Sequence, residues 1–217
     1  MPKSINLQKE SLIFLSVFIF MMILVYLLLN GGAFWKETRY RLFLKSPLSA
    51  ADLKNANLID LENFALPDVP AGKYQLLIPK LSVNVPLVFP KNPTNADVLA
   101  ALEDGVALFP GSTLPGEKGK SVVLGHSSRA SWYRGDYATI FAIIDKLESG
   151  DEIYVVTSGK KYVYKVFANL ILERRDANVL FNQKTDVSEL DLVTCWPIGS
   201  AAKRKIIRAQ LITEISI

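Results

Sequence analysis

The chain has 217 residues, half of them hydrophobic and 21% charged, with a formal net charge of +4. That length holds one globular domain and an appendage, and the composition rules out both a large multidomain machine and a disordered polyelectrolyte. A mean hydropathy of +0.22 points to contact with lipid, the charge is too small to argue for nucleic acid, and a single cysteine, Cys195, excludes an internal disulfide.

Residues 12–29 read LIFLSVFIFMMILVYLLL, without a charge or a proline. As a helix this run rises about 27 Å, enough for a hydrocarbon core. A cleaved signal peptide is the rival reading, but the run exceeds the usual apolar stretch of such a leader, and bulky Phe34-Trp35 follow where small residues belong. A buried core helix fits less well, because the segment is apolar on every side. Lys3 and Lys9 precede the span, whereas Lys36, Arg39, Arg41 and Lys45 follow it. Charge alone therefore votes for a domain inside the cell, yet long domains are translocated regardless of that bias, and orientation stays open at this point. Residues 32–69 read as a stalk, with one helical stretch in SPLSAADLKNANLIDLENF ended by Pro67 and Pro70.

From Tyr74 onward, short β-branched runs recur between turn signals: YQLLIP, VNVPLVF, GVALF, SVVLG, EIYVVT, KYVYKVFANLILE, LDLVTC and RKIIRAQLITEI. Eight such runs with few helical windows predict an all-β fold, a closed barrel or a sandwich. Short helices are expected at residues 94–102, where Thr94 can cap and Asp97 takes the third helical position, and at 140–147. Gly159-Lys160 reads as a tight hairpin turn. No internal repeat is visible.

His126, the one histidine, follows the apolar strand Ser121-Val122-Val123-Leu124 through Gly125, which sets it at a strand end beside the small Ser127-Ser128. Cys195 closes Leu190-Asp191-Leu192-Val193-Thr194 in the same way, and Trp196-Pro197 forces the chain out of the sheet. Taken singly, His126 is a satisfied surface or core histidine and Cys195 a packing residue. Arg204 opens the final strand. If that strand pairs antiparallel with the one ending at Cys195, thiol and guanidinium become neighbours. The period of two then puts Arg204, Ile206 and Arg208 on one face and Lys203, Lys205 and Ile207 on the other; the bland account of Lys203-Arg204-Lys205 is a solvated basic turn.

Cleaving an amide with sulfur needs a thiolate, a proton donor for the departing amine and positive character facing the oxyanion. Cys195, His126 and Arg204 supply one of each: a neighbouring cation favours the thiolate, an imidazolium donates to nitrogen, and guanidinium offers a planar fork of donors that lysine lacks. Residues 127–137, rich in Tyr, Trp and Arg, read as a wall of the substrate groove. One histidine and one cysteine do not make a four-ligand zinc set. No cofactor is expected; calcium on carboxylates such as Glu173 and Asp176 stays an open alternative without a ligand-loop spacing to favour it.

Leu192-Val193-Thr194-Cys195 before an Arg204-led strand, with Gly125-His126 after an apolar strand, resembles the sortases, cysteine transpeptidases of the bacterial cell surface. The similarity covers residues 73–217. It includes Leu77-Ile78-Pro79-Lys80-Leu81, Val85-Pro86-Leu87-Val88, Gly105-Val106-Ala107, Phe109-Pro110-Gly111-Ser112, Leu114-Pro115-Gly116, and Leu147 with Gly150-Asp151. Each fragment alone is weak, and their order is specific. The resemblance implies a closed eight-stranded β-barrel with short helices, with His126, Cys195 and Arg204 on the family's catalytic trio. It further implies cleavage of the Thr-Gly bond of an LPXTG-like sorting signal, through a thioacyl enzyme resolved by an amine. The implied partners are surface proteins bearing C-terminal sorting signals and an amine from a peptidoglycan precursor or a pilin lysine. Asp191 stands where many members have threonine and Leu108 where several classes have histidine, which blurs subclass and substrate. Trp196-Pro197 looks closer to class D and E or unclassified types than to class B.

The expected layout is then a cytoplasmic tail at 1–11, a transmembrane anchor at 12–31, the stalk at 32–69 and a sortase-like catalytic domain at 70–217. Family precedent places the N-terminus in the cytoplasm and the domain outside, at the cell membrane. A catalytically inactive, membrane-tethered barrel that holds peptides by strand addition is the alternative.

Overall fold

The computed structural model describes residues 7–39, 71–128, 135–181 and 184–217. Helix α1 (Leu7–Arg39) contains the apolar window Ser11–Leu28, whose side chains are exposed along its whole length and which is a candidate membrane span by length and composition. It continues past residue 31, where the anchor is expected to end. The stalk helix expected at 46–64 lies outside the described residues, as do residues 1–6 of the expected tail.

Among the described residues, eight strands close a barrel: β1 (Tyr74–Ile78), β2 (Val83–Val88), β3 (Val106–Leu108), β4 (Gly119–Leu124), β5 (Glu152–Thr157), β6 (Lys160–Glu173), β7 (Ser188–Trp196) and β8 (Lys203–Ser216). All eight expected runs are strands. Their order around the barrel is β1-β2-β3-β4-β7-β8-β6-β5. Two neighbours, β2–β3 and β4–β7, run parallel, and the rest are antiparallel. Alternation sorts the side chains. Leu76, Val85, Val123, Val155, Leu192 and Ile207 turn inward into one core that draws on every strand. Val122, Val193 and Ile206 turn outward and are covered by Ala177 of α3 (Arg174–Phe181).

Helix α2 (Asn95–Asp104) forms as the sequence predicts: the Asp97 N–H donates to Thr94 Oγ1 at 3.1 Å. It packs Ala101 and Leu102 on the outward Ala107 of β3. The second expected helix does not form. Residues 140–147 make turns and one 3₁₀ turn, Ile144–Lys146, because Phe141, Ile143, Ile144 and Leu147 all insert into the barrel core, more side chains than one helical stripe could aim there. The β5–β6 turn is Ser158-Gly159, one residue earlier than expected, with Thr157 opposite Lys160 and Gly159 at φ +80°.

Candidate active site

Cys195 and Arg204 are register partners across the antiparallel β7–β8 pair. Both occupy outward positions, continuing Val193 and Ile206, so thiol and guanidinium share one face of the sheet. Cys195 is half-buried and free of any disulfide. The Arg204 Nη1 donates to Ala201 O at 3.1 Å and Lys203 O at 2.9 Å, which aims the guanidinium along the β7–β8 loop.

His126 lies two residues past the last register pair of the parallel β4–β7 ladder, Leu124 with Val193. That ladder is prolonged by the Gly125 N–H donating to Val193 O at 3.1 Å and by Thr194 Oγ1 donating to Gly125 O at 2.7 Å. Continuing the register by two sets His126 against Cys195. Gly125 holds the inward position, where a Cβ would meet the Phe141 ring at 2.3 Å, so His126 takes the outward one. The Phe141 N–H in turn donates to His126 O at 2.9 Å. Extended in this way, with strands about 4.8 Å apart, the register would line the three residues up as a row at the ends of β4, β7 and β8, roughly 10 Å of backbone.

The neighbouring cations differ as the two-residue period demands. Lys203 is exposed and pairs with Glu173 at 3.0 Å. Lys205, on the same side of the strand as Lys203 and opposite Arg204, is buried 5.4 Å from the centre of the Trp196 ring, and burial holds its ammonium below the usual lysine range. Arg204 alone of the three projects beside Cys195.

Below the row, the outward positions form an apolar floor of Val122, Leu124, Val193 and Ile206, walled by α3. Helix α3 carries no capping pattern at Arg174-Arg175-Asp176 to mark it in the sequence. Beyond the floor lies a buried ion network that the sequence reading also missed. Arg208 Nη2 reaches Glu189 Oε2 at 2.6 Å and Arg208 Nε reaches Asp191 Oδ1 at 3.3 Å. Lys120 Nζ lies 3.7 Å from Asp191 Oδ2. Burial pushes the Asp191 carboxyl up despite the opposing pull of Lys120 and Arg208. The signal was present in register: Lys120, Glu189, Asp191 and Arg208 all fall on outward positions of adjacent strands.

Of the residues considered for calcium, Glu173 is committed to Lys203 and Asp176 faces Arg175 at 3.6 Å. Among the described residues, no group of three or more His, Cys, Asp or Glu gathers as a metal site. Residues 129–134 of the expected groove wall lie outside the described residues. Its near end meets the β7–β8 loop, where the Gly199 N–H donates to Ser128 Oγ at 2.9 Å.

Comparison with known proteins bears on the fold and the family. A sortase domain family profile matches residues 76–212. Sortase D of Bacillus subtilis (strain 168) is 30% identical over 178 residues, covering 80% of this chain and 81% of that protein. Among solved structures, a Clostridium perfringens sortase D5 transpeptidase aligns at 24% identity and a TM-score of 0.52, covering 81% of this chain and 95% of that one. Sortase A of Listeria monocytogenes aligns at 22% identity and a TM-score of 0.54, covering 66% and 89%; likenesses this distant speak to fold alone. A closed barrel, a cysteine facing an arginine at its edge, and a family match over most of the chain lead to one conclusion: the protein belongs to the sortase family of cysteine transpeptidases.

Proposed function

We propose that this protein is a membrane-anchored sortase in which Cys195, His126 and Arg204 carry the reaction on an LPXTG-like sorting signal. The observation that carries the reading is the register pairing of Cys195 with Arg204 on the outward face, with the end of β4 alongside. The Cys195 thiolate attacks the threonine carbonyl carbon. Arg204 donates to the oxygen as it becomes negative, and protonated His126 gives its proton to the departing glycine nitrogen as the C–N bond breaks. The resulting thioester is then attacked by an amine, which loses a proton to His126 while the sulfur leaves as thiolate. Bonds and protons balance without a cofactor.

The donor substrates in this reading are surface proteins bearing C-terminal sorting signals. The acceptor is an amine from a peptidoglycan precursor, for cell-wall anchoring, or a pilin lysine, for pilus assembly. Residues 12–31 anchor the chain, 32–69 form the stalk and 70–217 the catalytic domain, with the N-terminus in the cytoplasm and the domain outside. The solitary cysteine suits that side, because it has no internal partner with which to oxidise.

The test is mass spectrometry of the full-length protein incubated with a library of LPXTG-like peptides and hydroxylamine. A peptide hydroxamate formed by the wild type and absent with Cys195→Ala supports the reading. Equal turnover by the Cys195→Ala variant overturns it.

A further inference from the structure

Helix α1 does more than cross a bilayer, since its C-terminal half is seated on the barrel rim that carries the candidate site. The Tyr26 hydroxyl donates to Ile198 O at 3.2 Å in the β7–β8 loop. Further along, Lys36 Nζ donates to Thr139 O at 2.8 Å, and Glu37 Oε1 pairs with Lys146 Nζ at 2.9 Å. The Glu37 and Lys146 side chains are only 17% and 22% exposed, so this is a packed contact and not a stray surface pair. Burial lowers the Lys36 ammonium below the usual lysine range, as a seated side chain requires. Tyr26 also stacks edge-to-face on Phe34, their ring centres 5.9 Å apart, which stiffens the helix face that meets the rim.

The two segments that receive α1 also bear on His126 and Cys195. One follows Trp196, next to Cys195; the other contains Phe141, whose N–H holds His126 O. Tyr26 belongs to the apolar window Ser11–Leu28, near its C-terminal edge, where tyrosines favour the lipid–water boundary. At about 1.5 Å per residue, Lys36 stands roughly 12 Å beyond Leu28. Ile198 is therefore level with the edge of the hydrocarbon layer, while Thr139 and Lys146 stand above it.

We propose that residues 197–200 of the β7–β8 loop dock in the headgroup layer of the membrane that α1 spans, with the lipid surface as their partner. Held there, the rim takes its reacting chains from polypeptides already at the membrane surface in preference to those in bulk solution. That last consequence rests on the sortase reading; the docking itself does not.

The experiment uses the full-length Cys195→Ala chain in phosphatidylcholine–phosphatidylglycerol nanodiscs. It carries an environment-sensitive fluorophore on Ser200→Cys or, at the opposite end of the barrel, on Ser158→Cys. Lipids spin-labelled at the headgroup should quench the Ser200 probe and shift its emission to the blue, leaving the Ser158 probe unchanged. Lys146→Glu, which sets a carboxylate against Glu37 and Asp145, should lose that quenching, and adding Glu37→Lys should restore it. Equal response of the two probes, or quenching at Ser200 unaffected by Lys146→Glu, overturns the proposal. Because this readout needs no turnover, docking without hydroxamate formation would sink the proposed chemistry and spare the docking, and the reverse pattern would do the opposite.

Discussion

Cys195 and Arg204 face each other directly across β7 and β8, outward, at the edge where the two strands part into their loop. The pairing fixes the guanidinium by backbone register, and Nη1 is tied to the Ala201 and Lys203 carbonyls. Arg204→Lys keeps the charge and forfeits the planar fork. Peptide cleavage should fall about 100- to 1000-fold in kcat, as for loss of one oxyanion donor. Stopped hydroxamate assays read the rate, and unchanged alkylation of Cys195 by iodoacetamide confirms that the edge is intact.

Gly125 is small because Phe141 occupies the space a side chain would need, with Cδ2 2.3 Å and Cε2 2.7 Å from a built Cβ. Gly125→Ala should cost about 1–3 kcal/mol by overpacking. Turnover should fall as well, since the displaced Phe141 backbone also holds His126 O. Thermal unfolding measures the first effect, and Gly125→Ala with Phe141→Leu should recover part of both.

The buried Thr194 Oγ1–Gly125 O bond, at 2.7 Å, locks the end of β4 to the residue before Cys195. Thr194→Val orphans that carbonyl at a cost of about 1–3 kcal/mol. Under the proposed chemistry its effect on kcat should exceed that on KM, because the bond ties the residue before His126 to the residue before Cys195 and does not touch the groove floor. Thr194→Ser should restore most of the rate.

Asp191 carries a pH signature. Its carboxyl is raised first by burial, against the pull of Lys120 and Arg208, so the protonated form suits the fold better than the ionised one. Its contribution to stability is therefore fully present below the unfolded value of about 4 and is lost as pH rises through the raised folded value. Asp191→Asn should gain stability relative to wild type as pH rises above the unfolded value, read as the growing difference in Tm. A variant that becomes steadily worse toward neutrality would show that the two cations outweigh burial.

Strand placement was legible because it rests on local chemistry. All eight β-branched runs pair as strands, and Thr94 caps α2 through the hydroxyl that marks it in the sequence. The nearness of Cys195 and Arg204 followed from one antiparallel pairing, and the separation of Arg204 from Lys205 followed from the period of two. His126 was harder to place, for its position depends on the parallel β4–β7 ladder, a pairing between strands far apart in the chain. The isoleucine-rich run at 140–147 misled because its apolar residues fill the barrel mouth from turns, a destination set by the tertiary cavity and invisible to helical periodicity. The seat of α1 on the rim was equally hidden, since hydropathy identifies a span without saying what its last turns touch.

The hydrogen-bonded order in which β8 lies between β7 and β6 has a consequence for biosynthesis. Of the eight strands, β8 is the last to be translated, yet it supplies Arg204, bonds to β6 along nearly its whole length and bonds to β7 from Lys203 to Gln210. A chain that ends before this strand leaves the barrel open between β7 and β6 and Cys195 without its register partner. Closure of the barrel and completion of the Cys195–Arg204 pair thus depend on the same final strand.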